Sequence, residues 1–600
     1  MKNRIIYLIV FVLFIAQGLA VKAEVRDTVN VEEFGIKPNT YENQSARMSQ
    51  AIEACRERGA KVLKFNAGRY DFWPEGAMRK EFYVSNTSSE QECADKTKVI
   101  GVWAENVNGL TIDGGGATLV FHGKMTMLSL YKCRNITIRN VHFDFERPGG
   151  SEITYSRVDE TGVVVKMHRD TRYEIIDGKV NLYGEGWRSN RNHCIKFNKD
   201  IDRFTYSGDW NVLASTEAKE LEPGVVHFAT PADFCPQVGD VLTVRDIIRD
   251  QVGMFLCQSE NIKFQDVYVH YMHGLGIVSQ YSRNITMDHV ECCPRENSGR
   301  VLASSADFMH FSGCSGKVRV NNCKFSGAQD DPINVHGTNL RAVEKIDDRT
   351  LMLRFMHAQT YGFEAYHEGD TVAFVDASRM ERFAYARVEK VRMVSERLQE
   401  VTFDSKVPEN LQIGHDCVEN MTCTPEVEIT NNYFTHTSTR GTLVTTPRKV
   451  VVANNIYKNT GMCAILIEGD AEGGYESGPV NDVLIENNTF IGCAYNGGPA
   501  GAVIALHPSN TIVDANRPVH RNVRIIGNKF QTFGNALLYA KSTQGLVFKN
   551  NVVTYSGDVK QNPSTLFILN GCKDVKISNN EYPAKFEKSQ IRFENMKKKF

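Results

Sequence analysis

Residues 427–457, VEITNNYFTHTSTRGTLVTTPRKVVVANNIY, decide the fold. Two runs that alternate apolar and polar residues, VEIT and VVVA, each end in an asparagine pair, and Asn432 and Asn455 lie 23 residues apart. Such alternation marks a half-buried strand. The marker returns as NNTF from Asn487, GNKF from Gly527, NNVV from Asn550 and NNEY from Asn579, each after a strand such as VLIE, VRII, LVFK or VKIS. NNCKF from Asn321 carries it with a one-residue slip, and NGLTIDG, RNITIRNVHF, ENIKFQDVYV and RNITMDHVEC are earlier copies. Short strands repeating with a period in the low twenties predict a right-handed parallel β-helix, its coils stacked at ~4.8 Å like strands in any sheet. Asparagine suits the corners: it tolerates left-handed backbone, and its amide can bond the asparagine of the next coil. The missing L-x-x-L-x-L consensus argues against a leucine-rich repeat.

Outward from the repeat, the first coil reads as strand, loop, helix and strand. Met48, Ala51, Ile52 and Cys55 form the apolar stripe of a helix that would cap the open end of the solenoid. Residues 150–249 and 338–417 break the repeat and are rich in short β-patterns such as GDVLTVRD and GDTVAFVD. Each reads as a small inserted β-barrel or sandwich, because loops of such length without structure are uncommon. The expected plan is all-β: leader 1–23, cap and first coils 24–149, first insertion 150–249, coils 250–337, second insertion 338–417 and C-terminal coils 418–600.

The leader pairs Lys2 and Arg4 with an apolar run and small residues ending at Ala23, which predicts export with cleavage after Ala23. The run is short for a stable membrane span. Losing Lys2, Arg4 and Lys22 leaves 67 basic and 71 acidic residues, a formal charge of -4, which gives no basic surface for nucleic acid or anionic membrane. The 15 cysteines show no metal-type spacing. Most, including Cys257, Cys314, Cys323, Cys463 and Cys493, sit in strand patterns as small hydrophobes.

Chemistry concentrates in residues 304–337, SSADFMHFSGCSGKVRVNNCKFSGAQDDPINVHG. Shifted by 24 residues, DFMHFSG falls on DPINVHG, so Asp307 matches Asp331. Alternation turns Met309, Phe311, Ile333 and Val335 inward and His310, Ser312, Asn334 and His336 outward. Asp307 and Asp331 then lie ~5 Å apart in neighbouring coils, while Asp330, of opposite parity, points elsewhere. Three carboxylates beside Gln329, His310, Asn334 and His336 suit acid/base hydrolysis of a glycosidic bond, in which one group protonates the leaving oxygen and another activates water. Arg440 and Glu468 are candidate sugar ligands from later coils. Trp187 and Trp210 of the first insertion are either sugar platforms or core.

The motifs FGIKPNT, SADFMHFSGCSG, GAQDDPINVHGT and DAEGGYESGPVNDVLIENN resemble glycoside hydrolase family 110, the exo-acting α-1,3-galactosidases, over nearly the whole mature chain. The resemblance implies an inverting release of terminal α-1,3-linked galactose from blood group B type or linear α-galactosyl glycans, with no metal or other cofactor. Its acidic residues map to Asp307, Asp330 and Asp331. The layout also resembles polygalacturonases, by which Asp330 is the general acid and Asp307 with Asp331 hold the attacking water. Their Gly-His-Gly and their Arg-x-Lys carboxylate reader have no counterpart here. Inversion requires ~6.5–9.5 Å between acid and base, a distance that Asp330 alone can supply. Two other readings are a polygalacturonase-like hydrolase and a non-catalytic glycan-binding β-helix.

Overall fold

The structure is a computed structural model that describes residues 27–189, 192–557 and 563–597. The leader expected over 1–23 lies outside them. The chain winds into a right-handed parallel β-helix. A typical coil has three strands, Glu426–Thr430, Tyr433–Thr437 and Thr442–Val444. They pair in parallel with Lys449–Ala453, Ile456–Lys458 and Ile465–Ile467 of the next coil.

The two residues of each marker divide its work. The first turns the corner in left-handed backbone: φ is 59° at Asn431 and Asn454, 55° at Asn487 and 56° at Asn550. At Gly527 φ is 68°, and glycine replaces asparagine there because it adopts this conformation without strain. The second residue builds a buried ladder. The Asn432 backbone N–H and side-chain amide donate to Asn455 Oδ1 at 2.9 and 3.0 Å, and the pattern continues through Asn488, Asn528 and Asn551 to Asn580. Each such bond contributes about 1 kcal/mol net, and an orphaned partner costs about 1–3 kcal/mol.

The NNCKF copy has the expected one-residue slip, its first asparagine, Asn321, lying opposite Thr430. Asn322 takes the left-handed corner at φ 54°, and Cys323 occupies the ladder place, its N–H donating to Asn432 Oδ1 at 2.8 Å. From Phe325 to Phe530 the residue that ends each marker is aromatic and points into the core, so equivalent rings stack from coil to coil. Phe325 and Phe434 are 4.9 Å apart, Phe434 and Tyr457 4.4 Å, Tyr457 and Phe490 5.4 Å, and Phe490 and Phe530 4.9 Å.

Helix α1 (Ser45–Arg58) buries Met48, Ala51, Ile52 and Cys55 and ends on Gly59 in left-handed backbone. Among the described residues no helix is long and apolar enough to cross a membrane. The first insertion is not a single closed barrel. A seven-stranded antiparallel sheet runs between Gly150–Asp159 and Val241–Asp246, beside a three-stranded sheet and a short helix. Trp187 and Trp210 are buried, and Trp210 packs in this insertion's core, so neither is a sugar platform. The second insertion is a closed six-stranded barrel spanning Asn339–Lys345 to Cys417–Asn420.

Both insertions lean on the helix near the aspartate coils. Asp202 pairs with Lys458 and His436 at 2.6 Å each, and Tyr495 donates to the Phe204 carbonyl at 2.8 Å. From the barrel, Arg397 Nε meets Glu90 Oε1 at 2.7 Å.

Candidate active site

Four stacked strands carry the site: β1 (Ile277–Gln280), β2 (Met309–Ser312), β3 (Ile333–His336) and β4 (Thr442–Val444). Strand β2 pairs with β3 in the register Met309 to Ile333, His310 to Asn334, Phe311 to Val335 and Ser312 to His336. The alternation expected from sequence holds, since Met309, Phe311, Ile333 and Val335 belong to the helix core. The outer residues are nevertheless covered: His310, Ser312, Asn334 and His336 are all buried. Their cover comes from chain segments far off in sequence. Ser85 N–H donates to Gln280 Oε1 at 2.8 Å, and Gly337 N–H to Ser477 Oγ at 2.9 Å.

Continuing the β2–β3 register two residues back sets Asp307 beside Asp331, and the Phe308 N–H donates to the Asp331 carbonyl at 3.3 Å. Asp330 does not point elsewhere as its parity predicts. It lies in a bend before β3, where alternation does not apply, and its charge acts on both Asp307 and Asp331. Side-chain exposure rises from 2% at Asp331 and 5% at Asp307 to 27% at Asp330. The first two are therefore buried, and Asp330 is the accessible carboxyl of the three.

Arginines distinguish the three carboxyls. Arg249 Nη2 is 2.9 Å from Asp330 Oδ2. Burial alone would raise the Asp330 pKa, but Arg249, with Arg440 and Arg245, outweighs it and holds the carboxyl below the ordinary carboxylate value. Arg440 Nη2 meets Asp331 Oδ2 at 2.6 Å, and the Arg440 N–H donates to Asp331 Oδ1 at 3.2 Å. Burial, with repulsion from Asp330 and Asp307, still pushes Asp331 well above its ordinary value. Asp307 is raised too, by burial and then by Asp330.

The other expected residues take particular places. Gln329 accepts from Arg245 Nε at 2.7 Å and donates to Thr243 Oγ1 at 2.5 Å, which fastens the first insertion to the aspartate coil. His310 Nδ1 is 2.9 Å from Asp307 Oδ2, and His336 Nε2 is 2.8 Å from His310 Nε2. Asn334 Oδ1 is buried without a partner among the described residues. Glu468 stays half-exposed, 3.9 Å from His507. Arg440 reaches the site but spends its head group on Asp331.

Five residues escaped the sequence reading: Arg245, Arg249, Glu476, Asn86 and Tyr206. Asn86 Nδ2 donates to Glu476 Oε1 at 2.7 Å, and its carbonyl accepts from Arg249 Nη1 at 3.3 Å, so one residue links the two sides of the cluster. Asn86 has φ 60°, which asparagine tolerates. Tyr206 is half-exposed and feels Asp330 and Asp331, and the His193 ring lies 5.8 Å from it. Only Glu476 left a usable signal, since it lies in the quoted motif DAEGGYESGPVNDVLIENN, eight residues past Glu468. A cavity of about 400 Å³ between the barrel and the helix lies apart from the aspartates, and its Arg382 and Arg517 are already paired with Glu419 and Glu381.

Fold and site together define a parallel β-helix with an acid cluster of the kind glycoside hydrolases use. Family models described as GLAA-B beta-barrel domain I and domain II match residues 151–242 and 350–418. The chain is 60% identical over 583 residues to an alpha-1,3-galactosidase A of Bacteroides fragilis, covering 97% of this chain and 96% of that one. It is 35% identical to an alpha-1,3-galactosidase B of Bacteroides thetaiotaomicron, covering 92% and 90%. The chain belongs to the α-1,3-galactosidase family, glycoside hydrolase family 110. Among solved structures, a family 28 exopolygalacturonase of Yersinia enterocolitica aligns over 93% of this chain and 79% of its own at 12% identity and TM-score 0.38, too low to carry an argument.

Proposed function

We propose that this protein removes terminal α-1,3-linked galactose from glycans by acid/base hydrolysis with inversion. The observation that carries the reading is the convergence of Asp307, Asp330 and Asp331 in one cluster, two of them buried and one accessible. Asp330 gives a proton to the glycosidic oxygen as the bond from C1 to that oxygen breaks. Water attacks C1 from the opposite face, and its proton passes to the Asp307–Asp331 side. Arg249 holds the Asp330 carboxyl below the ordinary carboxylate value, so its protonated form is the minor one and activity is expected to rise toward mildly acidic solution. His193 and Tyr206, on the first insertion, stand where the rest of the glycan would leave. That insertion therefore takes part in choosing between linear and fucosylated acceptors. The apolar leader supports export to the periplasm or beyond.

Chromatography of digests tests the reading. A linear α-1,3-digalactoside and a fucosylated blood group B trisaccharide are compared with polygalacturonate, using the mature chain and its Asp331→Asn variant. Free galactose from at least one of the first two, lost in the variant, is expected. Galacturonate alone would favour the polygalacturonase-like alternative, and no sugar from any would favour a glycan-binding role.

A further inference from the structure

Three contacts fix the protons around Asp307. His336 Nδ1 lies 2.6 Å from the Gly337 carbonyl, which can only accept, so this nitrogen carries a hydrogen. The Nε2 atoms of His336 and His310 are 2.8 Å apart, and neither two lone pairs nor two hydrogens can face each other at that distance, so one hydrogen lies between them. Another lies in the 2.9 Å contact of His310 Nδ1 with Asp307 Oδ2. The chain of three side chains thus holds three hydrogens and no net charge, one hydrogen more than two neutral imidazoles and a carboxylate would hold.

That extra proton rests on Asp307 or makes an imidazolium. Glu476, 3.8 Å from His336 Nε2, and Asp330 favour the imidazolium, whereas Arg249 opposes it. His357 of the barrel also faces His336, and it is neutral because burial lowers its pKa. Arg249 and Arg440 favour ionised Asp307, and Asp330 and Glu476 oppose it. Burial decides: it pushes His310 down to about 4 and Asp307 well up, since an apolar enclosure penalises every charged form.

We infer that Asp307 is a neutral carboxylic acid in the resting protein, its proton held on Oδ2 by the His310–His336 pair, and that Asp331 alone is the base. The second clause rests on the hydrolytic reading; the first does not. Asp307 then orients the attacking water without taking its proton; a neutral Asp307 removes one of the repulsions that raise Asp331, which leaves the 2.6 Å contact with Arg440 to favour the Asp331 carboxylate. His310 and His336 are positioning residues that act through Asp307.

Infrared difference spectroscopy of the full mature chain, without substrate at neutral pH, reads this directly. In the wild type minus Asp307→Asn difference, which cancels other buried carboxyls such as Glu152, the carbonyl stretch of a protonated carboxylic acid is expected. It should persist in His336→Gln, whose amide oxygen can still accept from His310. It should vanish in His336→Met, where His310 is free to turn its hydrogen toward Asp307. A band absent from the wild type, or unchanged in Asp307→Asn, would overturn the inference, and so would a band that survives in His336→Met. Circular dichroism of each variant separates misfolding from a proton shift, and the wild type against Asp307→Asn decides the matter even if both His336 variants fail to fold. Because no turnover is involved, a protein that shows the band yet releases no galactose would refute the hydrolytic reading and leave the Asp307 proton standing.

Discussion

At the scale of single residues, the two neighbours Asp330 and Asp331 divide the chemistry because different arginines hold them. Asp330→Asn should lose about 10²–10⁴-fold on an ordinary disaccharide, the usual worth of a positioned acid. It should retain most of its rate on an aryl α-galactoside whose leaving group needs no proton. Asp331→Asn should fail on both substrates. Steady-state rates on the pair of substrates check this, and an Asp330→Asn variant equally impaired on both would remove Asp330 as the acid. The three aspartates could be read from sequence because the 24-residue shift superposes two of them and the third is adjacent. Arg249 could not, since it reaches the cluster from 81 residues before Asp330, and Glu476, 140 residues after His336, was legible only through the motif that holds it. Alternation misdirected Asp330 for a physical reason: a period of two holds inside a strand and ends at the bend before it.

At the scale of elements, the coil corners were legible because left-handed backbone and a buried amide ladder both select asparagine, or glycine at the first position. The cover over β2 and β3 was not, because it is built from loops whose meeting depends on the whole fold. A contact elsewhere, between the first insertion and the first coils, is pH-dependent. His122 bridges Asp71 Oδ1 at 2.9 Å and Glu185 Oε2 at 3.1 Å and stacks on Trp73 at 3.7 Å, tying the first insertion to the helix end. Burial lowers the His122 pKa, but the two carboxylates outweigh it and raise it. A raised histidine contributes stability that is fully present below its unfolded value of about 6.5 and is lost as pH rises through the folded value. Thermal unfolding of wild type and His122→Phe should therefore differ in mildly acidic solution, with the gap closing as pH rises past that value. A constant gap would show that the imidazolium contributes nothing.

At the scale of the whole molecule, stacked coils act as a ruler. Repeating an aspartate at one coil position sets two carboxyls a strand spacing apart, and the insertions then remove them from bulk water. Burial of that kind raises the pKa values of Asp307 and Asp331 and makes a single ion pair such as Arg249–Asp330 decisive. Sequence showed that the two insertions are rich in strands; it did not show that the first is an open assembly of sheets and the second a closed barrel. Which sheet edges close depends on side-chain packing across strands. The direct test of the account is proton NMR of the mature protein acting on a linear α-1,3-digalactoside, following the first anomer of galactose released. The account predicts β-galactose first, with the α anomer appearing later by mutarotation; α-galactose first, or no galactose at all, would contradict it.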